Sequence, residues 1–500
     1  MTAPPTETGP TNTGPTEAES SETRPDPQLL VLAGVLILGL AAPLLDSTIV
    51  NVALRTLSRD LHVSVSTIQW VSTGYLLAMA MAIPITGWAS ERFGTRRVWI
   101  AALVLFTLGS VLSGMAWNVE SLITFRVVQG AGTGLMMPIL MTVLVQAAGG
   151  RTEGMGGVMA LISLPTLLGP VLGPVLGGLI LDHLSWRWIF YVNPPICLLA
   201  IVLAWRILPR AKPHEAPRLD VTGLLLLSPS LAAMIYGLAQ VGNQGGFDHR
   251  QVLVPAGIGA ALLVAFVGHA LRTQDPLVDL RLFRVRSFTV SSVLLFLAGL
   301  SAFGAMFLLP LYYQELRGES VATAGLLMAP QGLGIALSRA SGSLLDRLGG
   351  RPVILAGIVL LAAGTLPFGF AGPDTNAWLL AAVLVVRGTG LGVVIMAVML
   401  GSYTDLGPAQ IPHASSATRI MQQLGGSFGT AVLAVILQRQ LASHSGPAGA
   451  SAAFQHTFWW ALGFTLISIV PALLIPGRRP GPKAPAAEPT AAEPATLEAT

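Results

Sequence analysis

The sequence predicts an all-α polytopic membrane protein with 14 transmembrane helices, and three observations lead to this fold class. Charged residues make up 10% of the 500 residues, whereas soluble domains carry about 25%. Fourteen windows are apolar over the roughly 20 residues that a helix needs to cross a membrane. The windows are apolar throughout instead of alternating at every second residue, which argues against a membrane β-barrel.

The predicted spans are joined by short connections, so no soluble domain of appreciable size is expected. Residues 1–28, rich in Pro, Thr and Glu, and residues 477–500, rich in Ala, Pro and Glu, are expected to be disordered tails. The fourteen windows are residues 30–54, 66–87, 97–117, 121–146, 157–181, 187–208, 221–241, 252–272, 289–313, 322–342, 353–371, 377–401, 413–437 and 456–476.

Lys and Arg residues in the connections predict the orientation in the membrane. With the N-terminus in the cytoplasm, the eight inner segments hold 18 Lys and Arg residues and the seven outer segments hold 6. Because basic residues favour the cytoplasmic side, both termini are expected in the cytoplasm and the chain in the cell (inner or plasma) membrane. The basic linkers are expected to contact anionic membrane lipids. The small net charge of +4 gives no reason to expect nucleic acid as a partner.

Two connections share the pattern Gly-x-x-x-acid-Arg-x-Gly-x-Arg. The first is GWASERFGTRR (Gly87–Arg97) and the second is GSLLDRLGGR (Gly342–Arg351). Each follows the second span of a six-span half, so the pattern predicts two parallel six-helix repeats over residues 29–208 and 289–476. An inserted pair of helices with its cytoplasmic linkers then occupies residues 209–288.

The same pattern supplies candidate gating residues. The first glycine permits close helix packing, and the second permits the positive φ of a tight turn. The acid can pair with a base or with a helix N-terminus and so latch one half to the other. The alternative is that the bases serve topology alone. The candidates are Gly87, Glu91, Arg92, Gly94, Gly342, Asp346, Arg347 and Gly349.

Asp46 is the only one of 24 acids that lies well inside a predicted span. Such a carboxylate costs about 2.5–3.5 kcal/mol on insertion scales and mostly faces a cavity or a partner. A group that is neutral in one access state and ionised in the other is what proton coupling requires. The alternative is a structural Asp that caps a helix break after Pro43. Arg126 in the fourth span is a candidate ion-pair partner, or else a packing residue that satisfies backbone carbonyls.

The fifth span contains glycines at four-residue spacing, which predicts a smooth face for close helix packing. Its prolines remove backbone hydrogen bonds and favour a bend. The residues expected to take part in conformational change are Gly169, Gly173, Pro174 and Gly177.

Six residues within spans are candidates for a substrate cavity, because amide, thioether and aromatic groups suit lipophilic ligands. For the Met and Phe members, ordinary packing against lipid or the protein core is the alternative. The six are Asn51, Gln129, Met136, Phe303, Phe307 and Gln331.

Five motifs occur in order along the chain: LDSTIVNVAL, GWASERFGTRR, RVVQGAGTG, LGPVLGPVLGG and WRWIFYVNPP. With these motifs the chain resembles the major facilitator superfamily, specifically its 14-helix drug/proton antiporter branch, over about residues 28–476. The resemblance implies alternating access, proton-driven export, a part for Arg126 in proton transfer and an antiporter motif in the fifth span. The chain departs from the family pattern at Glu91, where Asp is usual, and in lacking the tenth-span acid of some dication exporters.

Together these features predict a proton-coupled antiporter that exports lipophilic cationic or neutral drugs or toxic compounds. No GxxxxGK[ST] nucleotide loop is present, so ATP-driven transport would need another subunit. No cofactor or metal is expected, and no intramembrane cluster of nucleophile, base or metal ligands suggests an enzyme. The alternatives are a dedicated exporter of one metabolite or antibiotic, a proton-coupled nutrient symporter, and a receptor or scaffold on the same fold. The sequence does not indicate an oligomeric state.

Overall fold

A computed structural model describes residues 27–147, 173, 176–181, 183–209, 218–244, 246–338, 341–443 and 446–475. Within these ranges the secondary structure is helical, with no strand. Twelve of the described helices are long and apolar enough to cross a membrane. The described part of the chain is therefore all-helical, and its spans are those of a multi-pass membrane protein.

The N-terminal half precedes the inserted pair of helices and is formed by the following elements. They are α1 (Pro27–Asp60), α2 (Val65–Ile68), α3 (Trp70–Ala82), a 3₁₀ turn (Ile83–Ile85), α4 (Thr86–Phe93), α5 (Thr95–Gly114), α6 (Val119–Ala147), α7 (Trp188–Tyr191) and α8 (Asn193–Ile207). Pro27 and Gln28 fall within the predicted N-terminal tail but are helical, because proline is tolerated in the first turn of a helix.

The inserted pair consists of α9 (Val221–Gln244) and α10 (Arg250–Ala270), followed by a 3₁₀ turn (Leu280–Arg284). The C-terminal half contains α11 (Arg286–Leu311) with a π-helical turn (Tyr312–Leu316), α12 (Val321–Leu337), α13 (Ser341–Leu348), α14 (Gly350–Thr365), a 3₁₀ turn (Leu366–Gly369), α15 (Ala377–Gly401), a 3₁₀ turn (Pro408–Gln410), α16 (Ile411–Ser443), α17 (Gly446–Ile467) and α18 (Ile469–Leu473).

Twelve of the fourteen predicted windows correspond to candidate spans, and two do not. The window 157–181 lies largely outside the described residues. The window 322–342 corresponds to α12, whose 17 residues extend about 26 Å, slightly less than the hydrocarbon thickness of about 30 Å. Residues 339–340, which follow α12, are also outside the described ranges. The count of fourteen thus remains a prediction.

The two halves have related helix neighbours. In the N-terminal half α6 packs against α3 and α5, and α8 packs against α1 and α5. In the C-terminal half α15 packs against α12 and α14, and α17 packs against α11 and α14. Helices α6 and α15 are the most buried candidate spans, with 72% of the apolar window inside the protein. Each half is therefore organised around one central helix.

Close backbone contacts show which residues of the two central helices correspond. Gly109 of α5 leaves no room for a Cβ because it faces the backbone of Gln129 in α6. Gly364 of α14 faces the backbone of Arg387 in α15 in the same way. Gln129 and Arg387 therefore occupy equivalent places in their halves.

A second pair of contacts gives the same correspondence. Gly130 of α6 faces the backbone carbonyl of Tyr75 in α3, and Gly388 of α15 faces the backbone carbonyl of Gln331 in α12. Each glycine directly follows the residue matched by the first contacts. Tyr75 and Gln331 are thus the second matched pair.

The inserted helices lie between the halves rather than apart from them. Helices α9 and α10 pack on each other, and α9 also contacts α3 of the first half and α16 of the second. Helix α16 packs along α11 and reaches α4 and α6 across the interface. Thr142 of α6 and Ser415 of α16 share a buried hydrogen bond of 2.9 Å across this interface.

Candidate functional site

Asp46 lies inside an uninterrupted helix. Pro43 is within α1, which continues to Asp60, so there is no helix break for the carboxylate to cap. Ser47 and Thr48 donate their hydroxyl hydrogens to the carbonyls of Leu44 and Leu45, at 2.9 and 2.8 Å, and so bind their own helix. The Asp46 side chain is completely buried. The alternative of a structural cap after Pro43 therefore has no support in this conformation.

Three side chains from two other helices donate to the Asp46 carboxylate. Arg126 Nη1 of α6 lies 2.5 Å from Oδ2, and Gln129 Nε2 lies 3.1 Å from Oδ1. Asn193 Nδ2, at the start of α8, lies 3.0 Å from Oδ1. Both carboxylate oxygens therefore accept hydrogen bonds, and the donor set is complementary to a carboxylate, which only accepts.

Arg126 is 1% exposed and has partners besides Asp46. Its Nη1 donates to Gln129 Oε1 at 2.7 Å, and its Nε donates to the Val71 carbonyl at 3.3 Å. Its guanidinium carbon lies 4.2 Å from the centre of the Tyr75 ring, a cation–π geometry. Both suggested contacts of Arg126, the ion pair and the backbone carbonyl, thus occur together.

A second layer of hydrogen bonds orients these donors. Asn193 also donates to Ser110 Oγ of α5 at 3.0 Å, and Ser110 donates to the Phe190 carbonyl at 2.8 Å. Tyr75 donates to Thr133 Oγ1 at 3.0 Å. The cluster therefore ties α1, α3, α5, α6 and α8 together around one ion pair.

Asn193 is a member of this cluster that the sequence analysis did not single out. It belongs to the WRWIFYVNPP motif, where it precedes two prolines at the beginning of α8. Asn before Pro is common in turns, so its sequence context alone suggests a helix start. The sequence feature that could have identified Asn193 is a polar amide residue within the predicted span 187–208.

The first Gly-acid-Arg loop reaches the other half of the molecule. Glu91 Oε1 lies 3.1 Å from His413 Nε2 of α16, and Gly87 packs directly against His413. His413 Nδ1 lies 3.2 Å from the carbonyl of Leu277, in the segment after the inserted pair. The side chain of Arg92 is exposed. A contact between the halves thus exists at Glu91, and its partner is a histidine that the sequence analysis did not identify.

The two loops have matching backbone turns. Gly94 has a φ of 82° and Gly349 has a φ of 84°, a region that favours glycine. Gly342, Asp346 and Arg347 lie in α13, and their side chains are outside the described part of the structure. The second loop therefore matches the first in backbone, and its side-chain role stays a prediction.

The fifth-span glycines pack beside the Asp46 helix. Gly173 faces Thr48, and Gly177 lies 3.4 Å from Ile49 Cγ2 when a Cβ is placed on it. Gly169 and Pro174 are outside the described residues. Gly173 and Gly177 thus contact α1 within three residues of Asp46, whereas nothing lies within 4 Å of a Cβ placed on Gly178.

The predicted cavity residues divide between the halves. Gln129 belongs to the Asp46 cluster, and Met136 is buried in the same helix. Phe303 and Phe307 of α11 and Gln331 of α12 are half-buried in the second half. Asn51 lies in α1, and its side chain is outside the described part of the structure. The two glutamines are therefore in separate polar centres.

The second polar centre surrounds Arg387, which is 2% exposed. Its Nη1 donates to Gln331 Oε1 at 3.1 Å, and its Nη2 donates to the Ser301 carbonyl at 3.3 Å. The Ser301 hydroxyl shares a 3.2 Å hydrogen bond with Thr465 of α17. Among the described residues, no carboxylate lies within 4 Å of this guanidinium.

Comparisons with known proteins agree with this architecture. The family model described as Major Facilitator Superfamily matches residues 36–430. A "Multidrug resistance protein B homolog" of Mycobacterium tuberculosis (strain ATCC 25618 / H37Rv) is 40% identical over 84% of this chain and 78% of that protein. A "Tetracenomycin C resistance and export protein" of Streptomyces glaucescens is 32% identical over 83% of this chain and 76% of that protein.

Solved structures show the same fold at low sequence identity. The crystal structure of the human organic anion transporter MFSD10 (TETRAN) covers 90% of this chain and all of its own, with 18% identity and a TM-score of 0.60. The proton:xylose symporter XylE covers 88% of this chain and 96% of its own, with a TM-score of 0.57. From the family model and the two relatives, the chain belongs to the Major Facilitator Superfamily.

Proposed function

We propose that this chain is a proton-coupled exporter that moves lipophilic drugs or toxic compounds out of the cell by alternating access. The observation that carries the proposal is the buried Asp46 carboxylate, held by Arg126, Gln129 and Asn193. The relatives named for multidrug resistance and for antibiotic export support the direction and the substrate range. Members of this superfamily are generally transporters rather than enzymes.

The geometry suggests how one proton changes the ion pair. In the proposed cycle, the outward-facing protein takes up a proton at Asp46, and the resulting carboxylic acid no longer offsets the charge of Arg126. Arg126 already donates to Gln129 Oε1 and to the Val71 carbonyl, so these two acceptors remain for it. Protonation thus weakens the link between α1 and α6 without leaving the guanidinium without hydrogen bonds.

The consequence for α1 is mechanical. Gly173 and Gly177 face Thr48 and Ile49 of this helix, so α1 can slide along the fifth span where no side chains project from the glycines. The protonated form relaxes to the inward-facing state. Substrate binding with release of the proton to the cytoplasm then restores the Asp46–Arg126 pair and resets the cycle.

The latch between the halves is the Glu91–His413 contact, with the first loop placed on the cytoplasmic side. Its 3.1 Å separation joins the last turn of α4 to α16. The Thr142–Ser415 hydrogen bond joins the same two halves further along α16. Breaking these contacts is the step that opens the cytoplasmic side in this proposal.

The complete proposed topology has fourteen spans and cytoplasmic termini. Parallel six-helix repeats occupy residues 29–208 and 289–476, with the inserted pair within residues 209–288. The matched contacts of Gly109 and Gly364 support this division, as does the shared turn at the two loops.

The decisive test is transport by the purified protein in proteoliposomes with an imposed pH gradient. We expect export of lipophilic dyes, measured as accumulation in inside-out vesicles whose lumen is acidified, to require Asp46. Asp46→Asn keeps the size and the acceptor oxygen, and we expect it to assemble yet to lose gradient-driven transport. Full transport by this variant would remove Asp46 from coupling, whereas uptake in the opposite direction would indicate a symporter.

A narrower candidate is export of a single endogenous compound. The Streptomyces glaucescens relative is named for resistance to and export of one antibiotic, tetracenomycin C. Competition between chemically unrelated compounds in the same vesicles separates the candidates. Mutual inhibition supports a multidrug exporter, and transport of one compound without competition supports a dedicated one.

A further inference from the structure

Among the described residues, the charges inside the membrane-spanning helices do not balance. Three arginines of the described structure lie well inside spans, at Arg126, Arg387 and Arg419. Asp46 is the carboxylate in the same region, and it pairs with Arg126. Arg387 and Arg419 have no Asp or Glu of the described residues within 4 Å. In the described part of the second half, two positive charges thus have no carboxylate beside them.

Neutral acceptors hold the Arg387 guanidinium. Gln331 Oε1 lies 3.1 Å from Nη1, and the Ser301 carbonyl lies 3.3 Å from Nη2. A guanidinium has five N–H donors in a fork that fits a carboxylate with two parallel hydrogen bonds. Amide and carbonyl oxygens satisfy part of the donor set but supply no charge. A buried charge without an opposite charge is unfavourable, so an anionic ligand group should bind here more tightly than a neutral one.

Gln331 is the accessible part of this centre. Its side chain is half-buried, whereas Arg387 is 2% exposed, so Gln331 is the more accessible member of the pair. Rotation of a glutamine side chain needs no backbone movement. A ligand oxygen that replaces Gln331 Oε1 therefore reaches Arg387 Nη1 directly.

The corresponding position in the first half, Gln129, also supports an anion beside Arg387. Gln129 matches Arg387 in its glycine contact and donates to a carboxylate that belongs to the protein, Asp46. The matched place in the second half has the donor but lacks a carboxylate among the described residues. The missing acceptor is the group that a ligand can supply.

We infer that Arg387 and Gln331 form a binding site for the anionic group, a carboxylate, phenolate or enolate, of a lipophilic substrate. The inference rests on the proposed export function and narrows its substrate class to acidic lipophilic compounds. It differs from the sequence-based expectation of a cationic or neutral substrate, because a buried guanidinium with only neutral partners among the described residues repels a cation and attracts an anion in a medium of low dielectric constant.

The test is equilibrium binding of two dyes to the purified full-length protein. Fluorescein and rhodamine 123 share the xanthene ring system and carry opposite charges at pH 8, so fluorescence anisotropy compares charge at nearly constant shape. We expect the unmodified protein to bind fluorescein at least about tenfold more tightly than rhodamine 123, as a charge-assisted hydrogen bond predicts. Tighter binding of rhodamine 123 overturns the inference without any variant.

Two substitutions remove the site in different ways. Arg387→Met removes the charge, and Gln331→Glu places a carboxylate of nearly the same shape beside it. We expect each to weaken fluorescein binding at least about tenfold and to leave rhodamine 123 binding unchanged or tighter. Arg387→Lys keeps the charge but not the forked donor pair, so its fluorescein affinity should lie between those of the unmodified protein and Arg387→Met. Unchanged fluorescein binding by Gln331→Glu overturns the inference.

Controls separate this site from folding and from the proposed function. Gln410→Glu makes the same substitution at an exposed position. Gln410 Oε1 accepts from the Gly407 amide, and a carboxylate can accept the same hydrogen bond. This variant should therefore bind both dyes with unchanged affinity. Gln331→Glu gives Arg387 an internal partner, so its melting temperature should not fall. Dye binding requires no pH gradient, so the two proposals can fail separately. If the unmodified protein binds fluorescein but shows no pH-driven export, the exporter proposal is wrong and the anion site stands.

Discussion

The two halves of this protein use matched positions for opposite arrangements of charge. In the first half, Gln129 and Arg126 of α6 surround the Asp46 carboxylate, so the buried pair is neutral overall. In the second half, Arg387 occupies the place of Gln129, and the oxygen that it contacts on α11 is the carbonyl of Ser301. Leu384, three residues before Arg387 as Arg126 is before Gln129, is fully buried and apolar.

The helix scaffold is compatible with either arrangement of charge. The glycine contacts that set the helix spacing are the same in both halves, while the charged residues between them differ. A buried ion pair can take or release a proton and remain near neutrality, which suits coupling. A buried cation with neutral partners offers a place for an external anion, which suits substrate binding under the inference above.

We expect the greatest loss of stability when the first half loses the carboxylate of its buried ion pair. Asp46→Ser leaves Arg126 buried without its carboxylate, and removing one partner of a buried pair costs about 3–5 kcal/mol. Asp46→Ser combined with Arg126→Leu removes both charges and places at position 126 the residue type that Leu384 supplies in the second half, and we expect it to recover most of the lost free energy of unfolding. Thermal and chemical unfolding in detergent measure the four members of this double-mutant cycle.

The same cycle separates stability from coupling. We expect the double variant to be well folded and still to lack gradient-driven export, because the proton site is gone. If Asp46→Ser is as stable as the unmodified protein, the ion pair does not hold the first half together. If the double variant exports normally, proton coupling lies elsewhere.

The two halves share a close contact between a glycine and a backbone carbonyl, at Gly130 and at Gly388. An alanine at Gly130 or at Gly388 would push its Cβ into the backbone carbonyl of Tyr75 or Gln331. Overpacking of this kind costs about 1–3 kcal/mol, and we expect similar losses of unfolding free energy from both variants. Gly257→Ala in α10 is the control, since nothing lies within 4 Å of its Cβ, and it should be neutral or stabilising by up to about 1 kcal/mol. A loss confined to one half would argue against equivalent helix packing.

The sequence predicted most of the fold because apolar windows of fixed length are local signals. Twelve of the fourteen windows correspond to candidate spans. The boundaries were less predictable: α12 ends at Leu337, and α1 begins at Pro27 within the predicted tail. Helix ends depend on capping and tertiary contacts, which a hydropathy window does not contain.

The candidate site was predictable in part. Asp46 and Arg126 stand out because a charge in an apolar window has few explanations, and they do lie together. Asn193 and His413 gave weak signals, since each lies at the beginning of a helix where polar residues are common. Their partners, Asp46 and Glu91, are distant in sequence, so only the three-dimensional arrangement reveals them.

A smaller effect is expected at the contact between the halves. Glu91 and His413 are 21% and 18% exposed, and a partly exposed pair of this kind is worth about 0.2–1 kcal/mol. We expect Glu91→Gln and His413→Gln each to change the export rate by up to about fivefold, and the double variant to show no further change. Glu120→Gln, at an exposed acid, is the matched control. Additive effects of the two substitutions would show that the side chains act independently.

Transport should be least affected by a change at Asp220, which belongs to neither half. Its carboxylate accepts from the Gly223 amide at 2.8 Å, from His269 at 2.8 Å and from the Leu277 amide at 3.2 Å. It thereby caps α9 and ties α9 to the end of α10. Burial works to raise the pKa of Asp220, but these hydrogen bonds outweigh burial and hold the pKa below its ordinary value of 3.8.

The sign of the pH dependence follows from this lowered pKa. The contribution of Asp220 is complete above the ordinary pKa of 3.8 and is lost as the pH falls through the lower pKa of the folded state. We expect Asp220→Ala to reduce the free energy of unfolding by about 1 kcal/mol at pH 7, as for other N-cap residues. The gap between the variant and the unmodified protein should close as the pH falls below 3.8. Asp248→Asn, at a carboxylate that is 81% exposed, should show no such gap at either pH.

Because Asp220 is remote in sequence from both polar centres, its loss should leave fluorescein binding and gradient-driven export unchanged. A change in either would mean that the inserted helices take part in coupling the two halves.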